Sequence, residues 1–101
     1  MIPIELTSVD RLIDIEIEVG FRLDGWTTEL VVKQPSGVSL IIPGDVVETS
    51  QSRSLLRFGG WPDGAFETGT GEATVINRGP SGQVDAIPKG ADKLFVSVRG
   101  V

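Results

Sequence analysis

The strongest constraint on the fold is a strict alternation of residue types that runs from Leu12 to Lys33. On both sides of Asp24-Gly25 every second position is predominantly apolar, and mainly charged or small residues lie between these positions. The predominantly apolar positions are Ile13, Ile15, Ile17, Val19, Phe21 and Leu23, followed by Trp26, Thr28, Leu30 and Val32. A period of two is typical of a strand with one buried face, whereas a helix would spread these side chains around its circumference. The stretch therefore predicts two half-buried β-strands.

Asp24-Gly25 predicts a hairpin turn between these two strands. Asp-Gly favours a two-residue type I′ turn, because both central residues of that turn need positive φ. Counting outward gives the expected pairs on the buried face: Leu23 with Trp26, Phe21 with Thr28, Val19 with Leu30 and Ile17 with Val32. On the other face Glu16 would stand opposite Lys33, an opposite-charge pair that contributes about 0.2 to 1 kcal/mol.

Glycine and proline interrupt the rest of the chain at short intervals. Turns are expected at Pro35-Ser36-Gly37, Pro43-Gly44 and Pro62-Asp63-Gly64, and a polar loop over Thr49 to Ser54. About eight short strands and no helical spacing follow from this pattern. We therefore predict a single all-β domain over 1–101, an antiparallel β-sandwich, with a small closed β-barrel as the alternative. No segment is long enough for the crossover that parallel neighbours require.

The first strand, Ile2 to Leu6, is expected at an edge of the sheet. Pro3 has no backbone N–H and cannot take part in hydrogen-bonded ladders on both sides. A free edge of this kind can pair with another subunit. Ile2 and Ile4 are therefore candidate partner-binding residues.

The composition excludes several classes of function. The chain has no cysteine and no histidine, which removes thiolate or imidazole zinc sites, the usual haem ligands, disulfides and histidine-based catalytic triads. Its nine basic residues are scattered and its formal charge is −5, which argues against a nucleic-acid or anionic-membrane surface. We expect no enzyme activity, no cofactor and no metal. The N-terminal residues resemble neither a signal peptide nor a membrane span, so we expect a location in the cytoplasm or in a particle assembled there.

Three carboxylates, Asp14, Glu16 and Glu18, follow one another on the polar face of the first long strand, about 7 Å apart. They suggest a docking strip for a basic partner or a weak calcium site. The spacing is wide for calcium, which needs roughly six to eight oxygen ligands around one ion. The simpler interpretation is a solvated strand face on which Glu16 pairs with Lys33.

Trp61 is the second candidate site, because it lies beside Gly59-Gly60 and a turn-forming segment. An exposed tryptophan on a β-sandwich can stack on a sugar ring or anchor an interface. Asp63 and Arg57 would then be its polar partners. The alternative is that the ring folds back over the core.

These features together favour a non-catalytic interaction or assembly module. It would be a small acidic β subunit that docks on a larger complex or particle, such as a virion or shell accessory protein, and it could form a homo-oligomer. A carbohydrate-binding module that uses Trp61 is the alternative. An acidic inhibitor of a basic enzyme site is the weaker third hypothesis.

Overall fold

The computed structural model describes residues 2–7, 11–18, 20–61, 65–87 and 94–99. Within these ranges all regular secondary structure is β-strand, and the strands number eight. This confirms the all-β prediction and the expected number of strands. The eight strands are β1 (Ile2–Thr7), β2 (Leu12–Ile17), β3 (Thr27–Lys33), β4 (Ser39–Thr49), β5 (Ser54–Gly59), β6 (Gly69–Arg78), β7 (Val84–Ile87) and β8 (Leu94–Arg99).

The strands form one curled sheet, an open half-barrel with the order β1-β8-β6-β3-β4-β5-β2, and β7 pairs with β6 beside this path. Apolar side chains from one face of the sheet form a single buried cluster. The strand pairs are antiparallel except for β1 and β8, which are parallel. The prediction of a wholly antiparallel sheet is wrong at this pair. The first and last strands are joined by the whole domain, so no crossover helix is needed.

The predicted hairpin between β2 and β3 is wrong, although a tight turn does form. The amide of Trp26 donates a hydrogen bond to the carbonyl of Leu23 at 3.1 Å, and Gly25 has a φ of +76°. No described residue other than glycine has positive φ, so Asp24 does not adopt the conformation of a type I′ turn. Positive φ at the second central residue alone is the pattern of a type II turn, which splays the flanking strands instead of pairing them.

The two strands therefore find other partners, but the faces assigned from alternation are confirmed. β2 pairs with β5, whereas β3 pairs with β4 and β6. Ile13, Ile17, Leu23, Leu30 and Val32 are buried, and Asp14, Glu16 and Glu18 are exposed.

The turn predicted at Pro43-Gly44 is also wrong, because β4 runs through it as one strand. The strand changes partner there: β3 pairs with β4 up to Gly44, and β5 pairs with it from Gly44 onward. The ring of Phe58 lies directly against Gly44, where a Cβ atom would be 2.3 Å from Phe58 Cδ1. Glycine at this position thus lets a buried aromatic ring pack on the backbone of β4.

Candidate acidic surface at the β2 edge

Five exposed carboxylates lie on the outer face of β2, β5 and β4, and we call them the acidic surface: Asp14, Glu16, Glu18, Asp45 and Glu48. The strand register brings four of them into two rows, and Glu18 follows directly after β2. Asp14 and Asp45 stand on either side of Arg57, and Glu16 and Glu48 stand on either side of Leu55. The topology of the sheet thus gathers acids from two strands that are far apart in the sequence.

Two arginines from β5 and the loop before it partly neutralise this surface. Arg57 donates hydrogen bonds to both carboxylate oxygens of Asp14, from Nε at 2.8 Å and from Nη2 at 3.0 Å. Arg53 contacts Glu16 at 2.8 Å and Glu18 at 3.7 Å. The predicted pair of Glu16 with Lys33 is therefore wrong, since β2 and β3 are not neighbours and Arg53 takes the place of the lysine.

The hydrogen bonds from Arg57 hold the pKa of the Asp14 carboxyl below its ordinary value of 3.8, and the positive charge nearby acts in the same direction. Asp14 in turn raises the pKa of Arg57. Both groups are exposed, so water screens the pair and it contributes little to stability. Five carboxylates against two guanidinium groups leave the acidic surface with a formal charge of −3.

Calcium binding receives no support from this arrangement. Across the part of the chain that the structure describes, no group of three or more acidic side chains is close enough to hold a metal ion. The acids are spread along and across strands, and Asp14, Glu16 and Glu18 contact arginines instead of converging on one point.

Among the described residues, no strand pairs with the outer side of the β2 backbone. The amide of Gly60 donates to the carbonyl of Arg11 at 3.1 Å, and these two residues continue the register of β2 with β5. In an antiparallel pair, hydrogen-bonded positions alternate with positions whose N–H and C=O point away. Ile13, Ile15 and Ile17 therefore bond to β5, whereas the polar backbone groups of Leu12, Asp14 and Glu16 point outward.

No described strand lies beyond this outer edge, because β2 is the last strand in the sheet order. Asp14 and Glu16 thus present both a carboxylate and an open backbone ladder to a partner. Leu12 adds a side chain that is 60% exposed. The sequence pattern identifies Asp14, Glu16 and Glu18. It does not identify Asp45, Glu48 or Arg53, because only the strand order brings these three residues beside β2.

Of the three residues of the second candidate site, the structure describes Trp61 and Arg57, and these two do not share a surface. Trp61 is only 8% exposed and packs edge-to-face on Phe66, with ring centroids 5.0 Å apart. Its ring therefore folds back over the core, as the alternative interpretation held. Arg57 is on the outer face and bonds to Asp14, and Asp63 lies outside the described residues.

The other candidate edge, β1, occupies the far end of the sheet, as predicted for Ile2 to Leu6. Ile4 is half-buried and packs against the core, so its side chain has little free apolar surface. The structure describes the backbone of Ile2 but not its side chain.

Comparisons with known proteins add no assignment. No protein-family model matches the chain, and no curated protein is similar enough to count as a relative. In the described residues, no helix is long and apolar enough to cross a membrane.

Proposed function

We propose that this protein is a non-catalytic interaction module, a small acidic β subunit that docks on a larger protein complex or particle. The observation that carries the proposal is the coincidence at β2 of an open ladder edge with a surface of charge −3. Exposed strand edges are templates for pairing with another chain. The surrounding charge restricts which chain can approach.

The electrostatics of the chain also support a binding role. Hydrogen bonds from Arg57 and Arg22 lower the pKa of Asp14 and Asp24, respectively, and all four of these groups are exposed. Catalytic groups, in contrast, are typically shifted by burial in a cleft. The shifts seen here are those of a surface that meets water or a partner.

The proposal includes a β-sandwich arrangement of the curled sheet and a location in the cytoplasm or in a particle assembled there. Support for the sandwich over a closed barrel comes from the ends of the sheet. β1 and β2 lie at opposite ends of the strand order, and no pairing between them is seen in the described residues.

The test is capture of a partner from the native source, identified and then reproduced with purified components. Glu16→Lys and Glu18→Lys together should abolish the interaction. Glu5→Lys is the matched control, because Glu5 also contacts an arginine, Arg99 at 3.4 Å, but lies at the other end of the sheet. The proposal would be contradicted by a strictly monomeric protein with no reproducible partner. It would also be contradicted if the double variant and the Glu5→Lys control lost partner binding equally.

A further inference from the structure

The outer edge of β2 offers alternating donors and acceptors in a fixed order. Leu12, Asp14 and Glu16 each direct one N–H and one C=O outward, with successive residues of this set about 7 Å apart. This spacing is that of every second residue in an extended chain. A segment in extended conformation can therefore satisfy all six groups at once.

The side chains beside this ladder determine which residues the added segment needs. A residue that is hydrogen-bonded opposite Asp14 or Glu16 lies on the same outer face, with its Cα about 5.5 Å away. Carboxylates on β2 favour lysine or arginine at these positions, because opposite charges directly across a sheet stabilise it. The intervening residues of the segment point to the inner face beside Ile15, which is half-buried, so apolar residues fit there.

The same charges disfavour a second copy of this chain at the edge. An antiparallel pairing of β2 with itself that overlaps Asp14 and Glu16 places Asp14 opposite Asp14, Asp14 opposite Glu16, or Glu16 opposite Glu16. Like charges directly opposite each other destabilise a sheet. The acids thus protect the edge from self-association and leave it open to a basic strand.

The existing ion pairs do not prevent this binding. Arg57 and Arg53 are exposed, and exposed pairs contribute little that a partner cation would have to replace. Arg57 also stands opposite Asp45 on β4. Its guanidinium therefore keeps a carboxylate neighbour when a cation of the partner pairs with Asp14.

We propose that β2 accepts an extended segment of the partner as an added antiparallel strand, and that this segment carries lysine or arginine at every second position with apolar residues between. The inference rests on the proposed function and names the chemistry of its partner. It requires both the ladder and the carboxylates, which can be tested separately.

The probe is a synthetic peptide of about seven residues in which lysine and valine alternate. Its control has the same composition with the lysines and valines in separate blocks. We expect the alternating peptide to bind the full chain about tenfold more tightly, by NMR titration. Its binding should slow hydrogen exchange at the amides of Leu12, Asp14 and Glu16, while Ile13 and Ile15 change little. Binding without slower exchange at these three amides would overturn strand addition, since the contact would then be between side chains alone.

The matched variants are Leu12→Pro and Leu12→Thr. Proline is tolerated at the first residue of an edge strand when its missing N–H faces solvent, so Leu12→Pro removes one outward donor and leaves the bonds to β5. We expect Leu12→Pro to bind the peptide about tenfold more weakly than Leu12→Thr, because both variants lose the leucine side chain but only threonine keeps the outward N–H. Equal affinity of the two folded variants would overturn the inference. If Leu12→Pro fails to fold, the exchange measurement on the unaltered chain still decides.

The two proposals fail in different ways. If neither peptide binds while a natural partner remains sensitive to the charge reversal at Glu16 and Glu18, strand addition is wrong and the interaction module stands. If the alternating peptide adds to β2 but the native source yields no partner, the edge chemistry stands and the proposed function is wrong.

Discussion

Gly44→Ala tests the packing of β4 on β5, because no space exists for the added methyl group. A Cβ atom at Gly44 would lie 2.3 Å from Cδ1 and 2.6 Å from Cε1 of Phe58, and 2.9 Å from the carbonyl oxygen of Arg57. Phe58 is fully buried, so its ring cannot swing into solvent. The backbone of β4 or the ring must shift.

The sign of the effect follows from two opposing terms. Replacing glycine by alanine where φ allows it stabilises a protein by about 0.4 to 1 kcal/mol, because the unfolded chain loses freedom. Gly44 does not have positive φ, so this gain applies. Overpacking a well-packed core costs about 1 to 3 kcal/mol. We expect a net loss of about 1 to 2 kcal/mol and a fall in Tm of about 5 to 15 °C.

The assay is chemical and thermal unfolding of Gly44→Ala, Phe58→Leu and the double variant. Phe58→Leu alone should destabilise by leaving space in the core. In the double variant the alanine methyl fills part of that space, so the combined loss should be smaller than the sum by about 1 kcal/mol. An unchanged or raised stability of Gly44→Ala, or strict additivity, would refute the contact and favour a turn at Pro43-Gly44.

Three further predictions concern the core and the acidic surface. Thr28→Val should leave the free energy of unfolding unchanged or raise it by up to about 1 kcal/mol in denaturant titration, because the buried Thr28 hydroxyl has no hydrogen-bond partner among the described residues. A loss of about 2 kcal/mol would show that the hydroxyl is satisfied. Trp61→Ala should lower the free energy of unfolding by about 3 to 5 kcal/mol. A loss of less than about 0.5 kcal/mol would contradict the burial of this ring. Arg57→Gln should raise the pKa of Asp14 toward 3.8 in a carboxyl NMR titration, whereas an unchanged pKa would show that the ion pair is absent in solution. The pKa of Asp14 is lower in the folded chain than its ordinary value of 3.8. The stability that the ion pair contributes is therefore complete above pH 3.8 and is lost as the pH falls through the lowered pKa. For this reason Arg57→Gln should also flatten the acid limb of the curve of stability against pH.

Alternation predicted the faces of the strands correctly, because a buried face is a local property of the sequence. Ile13 and Leu30 face the core and Asp14 faces water whichever strand lies beside them. Pairing is different. The turn at Asp24-Gly25 favoured a local hairpin, but β2 gains its partner about forty residues later, in β5. A dipeptide that also forms a type II turn cannot decide between these arrangements.

Proline and glycine were misleading at Pro43-Gly44 for a related reason. Both residues are common in turns, but a strand can also use them where it changes partner and where a ring must approach the backbone. Only the packing of Phe58 distinguishes the two uses. The charge character of the acidic surface could be predicted from Asp14, Glu16 and Glu18, whereas its extension to Asp45 and its arginine partners required the strand order.

The outward direction of the β2 backbone could not be predicted at all from the sequence. Alternation assigns side chains to faces, but which N–H groups bond to a neighbour depends on the register with that neighbour. The single bond from Gly60 to Arg11 fixes it for the whole strand.

Native-state hydrogen exchange along β2 of the isolated chain tests the open edge most directly. We expect slow exchange at the amides of Ile13, Ile15 and Ile17, which bond to β5, and fast exchange at those of Leu12, Asp14 and Glu16. Uniformly slow exchange would show that another strand already covers this edge, and the reverse alternation would show that β2 turns its other side to β5.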